Sequence, residues 1–264
     1  MTAPAQVKSE QTRRGRNRLT LALTLAGFLV LFGVPICLRL FVLEAFKTPS
    51  GSMTPTLIPG DHVFVRKLAL HARQRTRGEV IVFEYPENRA QDFIKRVIAV
   101  PGDTFTVKDG HPWINGWEVP HCSLGEASYD DDNDGLGMAP SKHTGELVLE
   151  YLEGDAYLTF LDHSSGAAPH EVQGPYTVAP GEVWVLGDNR MNSHDSRMWW
   201  SSKGGGVPFA LVRGSALVRW FPFSRAGNVS TPTLPESMKS LEPALERCLA
   251  GRPPPDKTVP PAQR

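Results

Sequence analysis

Apolar positions fall into two regimes along the chain. From Leu19 to Leu38, twenty residues follow one another without a charge (LTLALTLAGFLVLFGVPICL). Coiled as a helix at about 1.5 Å per residue they reach about 30 Å, the thickness of a bilayer's hydrocarbon core. Gly27, Gly33 and Pro35 weaken a helix in water but are tolerated in a membrane. Beyond Lys47 the apolar residues come in short β-branched and aromatic stretches. These are His62–Lys67, Val80–Glu84, Phe93–Val100, Thr104–Lys108, Trp113–Asn115, Leu147–Tyr151, Ala156–Leu161, Tyr176–Val178, Val183–Leu186 and Ser215–Trp220. Each reads as a strand, and Gly78, Pro86-Glu87-Asn88 and Pro101-Gly102-Asp103 supply turns between them. No long helix-period stretch interrupts Lys47–Phe223, so this part is predicted to be mainly antiparallel β.

The flanks fix an orientation. Lys8, Arg13, Arg14, Arg16 and Arg18 precede the span against Glu10 alone, which predicts residues 1–18 inside and everything after Arg39 outside. A cleavable signal peptide has a shorter apolar core followed by an A-x-A site. Here Arg39-Leu40-Phe41-Val42-Leu43-Glu44 follows, and Ile36 before Cys37 does not fit a lipoprotein site, so 19–38 reads as an uncleaved anchor. The organisation expected is a basic segment 1–18, a transmembrane anchor 19–38, and a β core built from 46–108 and 179–223. A smaller β/loop subdomain, 109–178, is inserted in that core, and a tail, 224–264, closes the chain. Within the tail Pro235–Ala250 suits a short amphipathic helix, and proline-rich Gly251–Arg264 suits disorder.

Composition adds three points. Gly 24 and Pro 23 suit a turn-rich β protein. Lys+Arg 28 against Asp+Glu 28 leaves no electrostatic footprint for nucleic acid. Cys37 lies in the apolar run, so Cys122 and Cys248 either pair in an oxidising compartment or remain free or buried thiols.

Two residues carry the candidate chemistry. Ser52 sits in a Gly/Pro-flanked loop just beyond the span; by itself it is an ordinary turn serine, a poor nucleophile without a base. Lys95 is more informative. On an alternating strand Phe93, Lys95, Val97 and Ala99 share one face, and Ile94, Arg96, Ile98 and Val100 the other. A lysine among apolar neighbours loses hydration of its charged form, its pKa falls, and the neutral amine can take a serine proton. A strand lysine that snorkels to solvent is the bland alternative. His194 lies between Ser193 and Asp195, but a residue one position from its orienter points to the opposite strand face, so a Ser-His-Asp triad there is rejected.

Four stretches in order resemble the bacterial type I signal peptidases (leader peptidases): Pro49–Leu57 (PSGSMTPTL), Gly60–Lys67 (GDHVFVRK), Lys95–Asp103 (KRVIAVPGD) and Gly187–Arg197 (GDNRMNSHDSR). The resemblance covers about Leu19 to Trp220, with a gap in the inserted region. It implies a membrane-bound serine endopeptidase that removes signal peptides from exported preproteins after small residues at −1 and −3. Ser52 is then the nucleophile and Lys95 its general base, with Ser50 and the Ser52 N–H forming the oxyanion hole. Ser193 would hydrogen-bond Lys95, while Asp195 and Arg197 form a supporting ion pair with Arg96 nearby. Phe46, Met53, Leu57, Phe93 and Ile94 would line shallow apolar pockets, and an edge strand would hold the extended substrate by β-addition. The partners implied are preprotein signal peptides, the bilayer and the export machinery, at the inner membrane with the catalytic side periplasmic and no cofactor. A dedicated single substrate and an inactive β scaffold are the alternatives, and the intact Ser52/Lys95 pair argues against the scaffold.

Three departures from the family pattern stand out: Thr48 where an apolar residue is common, Met191 for an acid, and Trp200 for glycine. Asp130-Asp131-Asp132-Asn133-Asp134-Gly135 matches half a calcium loop, but Ser141 stands where the bidentate glutamate belongs, so a solvated acidic loop is expected. The histidines and cysteines lack zinc spacing, and no metal is predicted.

Overall fold

The computed structural model describes residue 17 and residues 20–33, 42–67, 75–131, 141–164 and 172–254. The chain divides into two units, Met1–Glu44 and Ala45–Arg264. In the first, 20–33 is helical, and Leu21, Leu25, Phe28 and Leu31 are each at least 60% exposed. No helix among the described residues is long and apolar enough to cross a membrane, and the remainder of the expected span, 19 and 34–38, lies outside them.

The second unit is built on antiparallel β ladders, as the short apolar stretches predict. Its largest sheet runs in the order β1 (Leu43–Lys47), β2 (His62–Lys67), β14 (Val212–Phe221), β3 (Val80–Tyr85), β4 (Asn88–Ala99), β12 (Glu182–Leu186) and β13 (Val207–Pro208), with β15 (Gly227–Asn228) on β14. Pro86-Glu87 closes the β3–β4 hairpin between Tyr85 and Asn88. Alternation along β3 sends Ile81 and Phe83 to a cluster with Val97, Val183, Val185 and Trp199. Val80 and Val82 turn the other way, toward Met53, Leu57, Val63 and Val65. The sheet is therefore apolar on both faces.

The predicted β4 alternation holds for Phe93, Lys95 and Val97 and then breaks. Trp184 pairs with Ala99 and Val185 with Val97, so Ile98 is an extra residue and both Ile98 and Ala99 reach a third cluster.

Where a β/loop subdomain is expected at 109–178, the chain forms two smaller sheets. One is β8 (His121–Asp131), β9 (Ser141–Leu152) and β10 (Asp155–Asp162); the other is β11 (Gln173–Thr177), β5 (Thr104–Lys108), β6 (His111–Ile114) and β7 (Trp117–Glu118). β5 thus pairs with the insertion and not with the core stretch 46–108 that contains it. Gly145 makes the β9–β10 contact possible, since a Cβ there would lie 2.1 Å from the Leu161 carbonyl oxygen.

The tail forms the expected helix. A 3₁₀ turn, Glu236–Leu241, leads into α1 (Glu242–Ala250), whose Ala244, Leu245 and Cys248 pack on Leu147, Leu149 and Tyr151. Residues 255–264 lie outside those described. Cys122 of β8 and Cys248 of α1 are disulfide-bonded across 126 positions with Cα atoms 5.8 Å apart, which decides between the two readings of those thiols. Tyr151 Oη donates to the Cys248 carbonyl at 2.6 Å. Closing so long a loop restricts the unfolded chain, and such bridges contribute about 2–4 kcal/mol. Cys122→Ala/Cys248→Ala is therefore expected to lower Tm by roughly 5–15 °C, read by thermal unfolding; an unchanged Tm would show that the bridge adds nothing.

Trp200 shows what the departure from glycine means. It sits at φ 55, with Ser201 at 57 and Ser202 at 62. These are left-handed conformations that cost side-chain-bearing residues roughly 1–2 kcal/mol each.

Candidate active site

Ser52 lies in the one-turn 3₁₀ helix Gly51–Met53 between β1 and β2. The loop is held closed by Thr48 N–H to the Asp61 carbonyl (2.8 Å), Gly60 N–H to the Thr48 carbonyl (2.9 Å) and Leu57 N–H to the Met53 carbonyl (3.0 Å). Met53 and Leu57, fully buried, anchor it in the core. Opposite, Lys95 occupies the middle of β4, where Phe93 and Val97 leave it 4% exposed. Its Nζ is hydrogen-bonded to Ser52 Oγ.

Burial lowers the Lys95 pKa to about 8; Arg197 acts in the same direction, and the charges of Asp195 and Asp188 oppose it without restoring the usual value. Near neutral pH a useful fraction of this amine is unprotonated and can accept the serine proton.

Ser50 and Ser52 come together as expected, Oγ to Oγ 3.3 Å, with Ser50 exposed at the mouth. Asp195 and Arg197 form the expected pair, Nε–Oδ1 2.8 Å and Nη2–Oδ2 2.8 Å, and Asp195 also accepts the Gly187 N–H at 3.0 Å. Burial pushes the Asp195 carboxyl up, but Arg197 and the Gly187 N–H outweigh it and hold the group below its ordinary range.

One expectation needs correction. Ser193 does not bond Lys95: its Oγ is buried without a hydrogen-bond partner. It is turned onto Gly187, where a Cβ would come within 2.1 Å of Ser193 Oγ and 2.5 Å of the Ser52 carbonyl oxygen. Arg96, expected near the Asp195–Arg197 pair, has partners of its own. Lying on the opposite face of β4 from Lys95, it forks onto Asp188 (2.8 and 2.7 Å), donates to the Gly78 carbonyl at 2.7 Å and stacks on Tyr157.

A cleft of about 560 Å³ opens over Ser52 and Lys95, walled by Phe93, Ile94 and, from β8 and β9, Asp131, Ser141 and His143. Phe93 and Ile94 line it as predicted. Phe46, Met53 and Leu57 do not; they pack behind the serine loop in the core. Thr48, also buried, keeps an unpartnered hydroxyl away from solvent. His194 stands on the cleft rim with its Nε2 3.0 Å from Tyr85 Oη, consistent with the rejection of a triad there. Asp131 is not part of a solvated loop. It is buried, and its carboxylate lies 3.3 Å from where a Gly51 Cβ would be, while 132–135 fall outside the described residues. No cluster of three metal-ligating side chains occurs among the described residues.

Several supporting residues had not been singled out. Asn189 donates its N–H to the Ser52 carbonyl (3.1 Å) and its amide to the Gly51 carbonyl (3.2 Å) and Tyr129 Oη (2.8 Å), so it fastens the nucleophile's loop. Arg190 forks onto Glu150 of β9 at 2.7 and 2.6 Å. A signal for Glu150 exists in the sequence: it is the one charge inside the apolar strand Leu147–Tyr151.

A serine hydroxyl bonded to a buried lysine amine beside a cleft is an arrangement suited to nucleophilic acyl transfer. The chain matches the family model "Signal peptidase, peptidase S26" over residues 19–221. It is 34% identical over 196 residues to a signal peptidase I of Pseudomonas fluorescens, covering 65% of this chain and 60% of that one. It is 31% identical over 238 residues to a signal peptidase I of Leptolyngbya laminosa, covering 88% and 93%. A crystal structure of a signal peptidase I from Enterococcus faecalis V583 overlaps 54% of this chain and 97% of its own at 23% identity and a TM-score of 0.33. The chain belongs to the signal peptidase family, peptidase S26, a family of serine endopeptidases.

Proposed function

We propose that this protein is a membrane-anchored signal peptidase that cuts exported preproteins after small residues at −1 and −3. The observation that carries the reading is the hydrogen bond between Ser52 Oγ and the buried Lys95 amine. Neutral Lys95 takes the Ser52 proton as Oγ attacks the scissile carbonyl. The oxyanion is met by the Ser50 hydroxyl and the Ser52 N–H, and Lys95 returns the proton to the leaving amine. Water then hydrolyses the acyl-serine with Lys95 again as base. The extended substrate lies along the cleft beside Phe93 and Ile94.

The anchor is Leu19–Leu38, with the basic N-terminus in the cytoplasm and the β unit periplasmic. The apolar surface of 20–33 and the Cys122–Cys248 bridge, which needs an oxidising compartment, support that placement. The test is to offer the full chain, in detergent, a preprotein with an A-x-A site. The product's N-terminus, read by mass spectrometry, should fall directly after the second small residue. Cleavage elsewhere, or none, would overturn the reading.

Because the amine must be neutral, kcat/KM should rise about tenfold per pH unit on the acid side and level off above about pH 8. A profile flat from pH 5 to 9 would exclude Lys95 as the base.

A further inference from the structure

Beside the same cleft, β9 and β10 bring together three residues that the Ser52 reaction does not use. Ser141 and His143 are two apart on β9 and share a face. Ser141 Oγ is 3.0 Å from His143 Nε2, and His143 Nδ1 is 2.5 Å from Asp162 Oδ2. Asp162 is buried at the end of β10, and its other oxygen accepts the Ser164 N–H at 2.9 Å and the Ser164 hydroxyl at 2.5 Å. A carboxylate held this way on Nδ1 selects the tautomer with the proton there, which leaves the Nε2 lone pair facing the Ser141 hydroxyl.

The ring is also fixed in plane. Tyr129 stacks on it with centroids 4.8 Å apart and planes 10° apart, and Asn189 in turn holds Tyr129. Ser141 and His143 both open into the cleft.

We propose that Ser141, His143 and Asp162 form a second nucleophilic centre in this cleft, one that acts on carboxylic esters. Ser141 Oγ bonds to the acyl carbon while its proton passes to His143 Nε2. The ester C–O bond breaks, and the alcohol leaves with that proton. Water then attacks the acyl-serine, gives a proton to His143 and releases the acid, and Ser141 recovers its hydrogen. Serine, imidazole and carboxylate in this order and tautomer activate a hydroxyl on unrelated folds, so the geometry and not the chain order is the warrant. The competing reading is that the three groups only pin β9 to β10, in which case Ser141 is inert.

The experiment uses the full chain in detergent carrying Ser52→Ala, so that its outcome is separate from the signal-peptidase reading. A fluorophosphonate ester is the probe: Oγ–P forms, fluoride leaves, and the proton goes to His143. Peptide mass spectrometry should place the adduct on Ser141, and p-nitrophenyl acetate should be hydrolysed by the same protein. Adding His143→Gln should slow labelling by about 10³-fold. Adding Asp162→Asn, which keeps the shape and disturbs the tautomer, should slow it comparably. Absence of a Ser141 adduct on protein shown by circular dichroism to be folded, or a labelling rate that neither variant changes, overturns the proposal.

Discussion

Ser52→Ala and Lys95→Met are each expected to lower kcat for preprotein cleavage by about 10⁴-fold or more. KM should stay within a few-fold of the parent. The argument is local. Alanine removes the attacking oxygen, while the loop around it remains tied by Asn189 and by buried Met53 and Leu57. Methionine fills nearly the volume of Lys95 among Phe93, Val97 and Ile81 but can accept no proton. Both changes act on the transition state and leave the cleft walls Phe93 and Ile94 in place, so binding survives and turnover does not. The two groups work as one device. The double variant should therefore be no slower than the slower single variant, a non-additivity that independent contributions would not produce. Substantial turnover by Lys95→Met would identify another base, and His194, hydrogen-bonded to Tyr85 on the rim, would be the first to examine.

How much of this was legible in the sequence depended on where each residue's partners came from. The strands of the large sheet could be read because their side chains are buried on both faces and rich in valine, isoleucine and phenylalanine, as in VIVFE. Ser52 and Lys95 were readable for a different reason: each alone had a bland reading, and the four ordered motifs they belong to joined them. β8 escaped notice because His121–Asp131 is small, polar and interrupted by Gly125; it is a strand through pairing with β9, not through its own pattern. The β5 assignment failed similarly, for its apolar pattern does not reveal which sheet it joins. Ser193 was placed in the right neighbourhood with the wrong partner, and Arg96 with none named. Which way a side chain turns there is settled by Gly187 and Asp188, and those contacts span long sequence distances. The pocket residues divided for the same reason. Phe93 and Ile94 flank Lys95 in sequence and reach the cleft with it, whereas Met53 and Leu57 follow a loop whose path only the fold determines.

The second large effect concerns Glu150 and Arg190, which join the inserted ribbon to the turn that carries Gly187. Both are buried, and the guanidinium also donates to the Gly110 carbonyl at 2.8 Å and the Gly187 carbonyl at 3.2 Å. Burial alone pushes the Glu150 carboxyl up, but Arg190 and, more weakly, His111 outweigh it and bring its pKa down to about 2. Arg190→Met is expected to destabilise the protein at pH 7 by about 3–5 kcal/mol, because it leaves a charged carboxylate in the core with His111 as its remaining basic neighbour. Glu150→Gln/Arg190→Met, with no charge left to strand, should recover most of that loss. The pH dependence provides a second check. A depressed carboxylate contributes stability that is fully present above its unfolded pKa near 4.5 and is lost as pH falls toward 2. The parent should therefore lose stability across that window, and Arg190→Met should lose less, since its Glu150 can take up a proton and shed the buried charge. Urea unfolding in detergent at pH 7 and again at about pH 2.5 measures both. A penalty below about 1 kcal/mol, or a double variant no better than the single, would mean that the ribbon is held to the Gly187 turn by apolar packing alone.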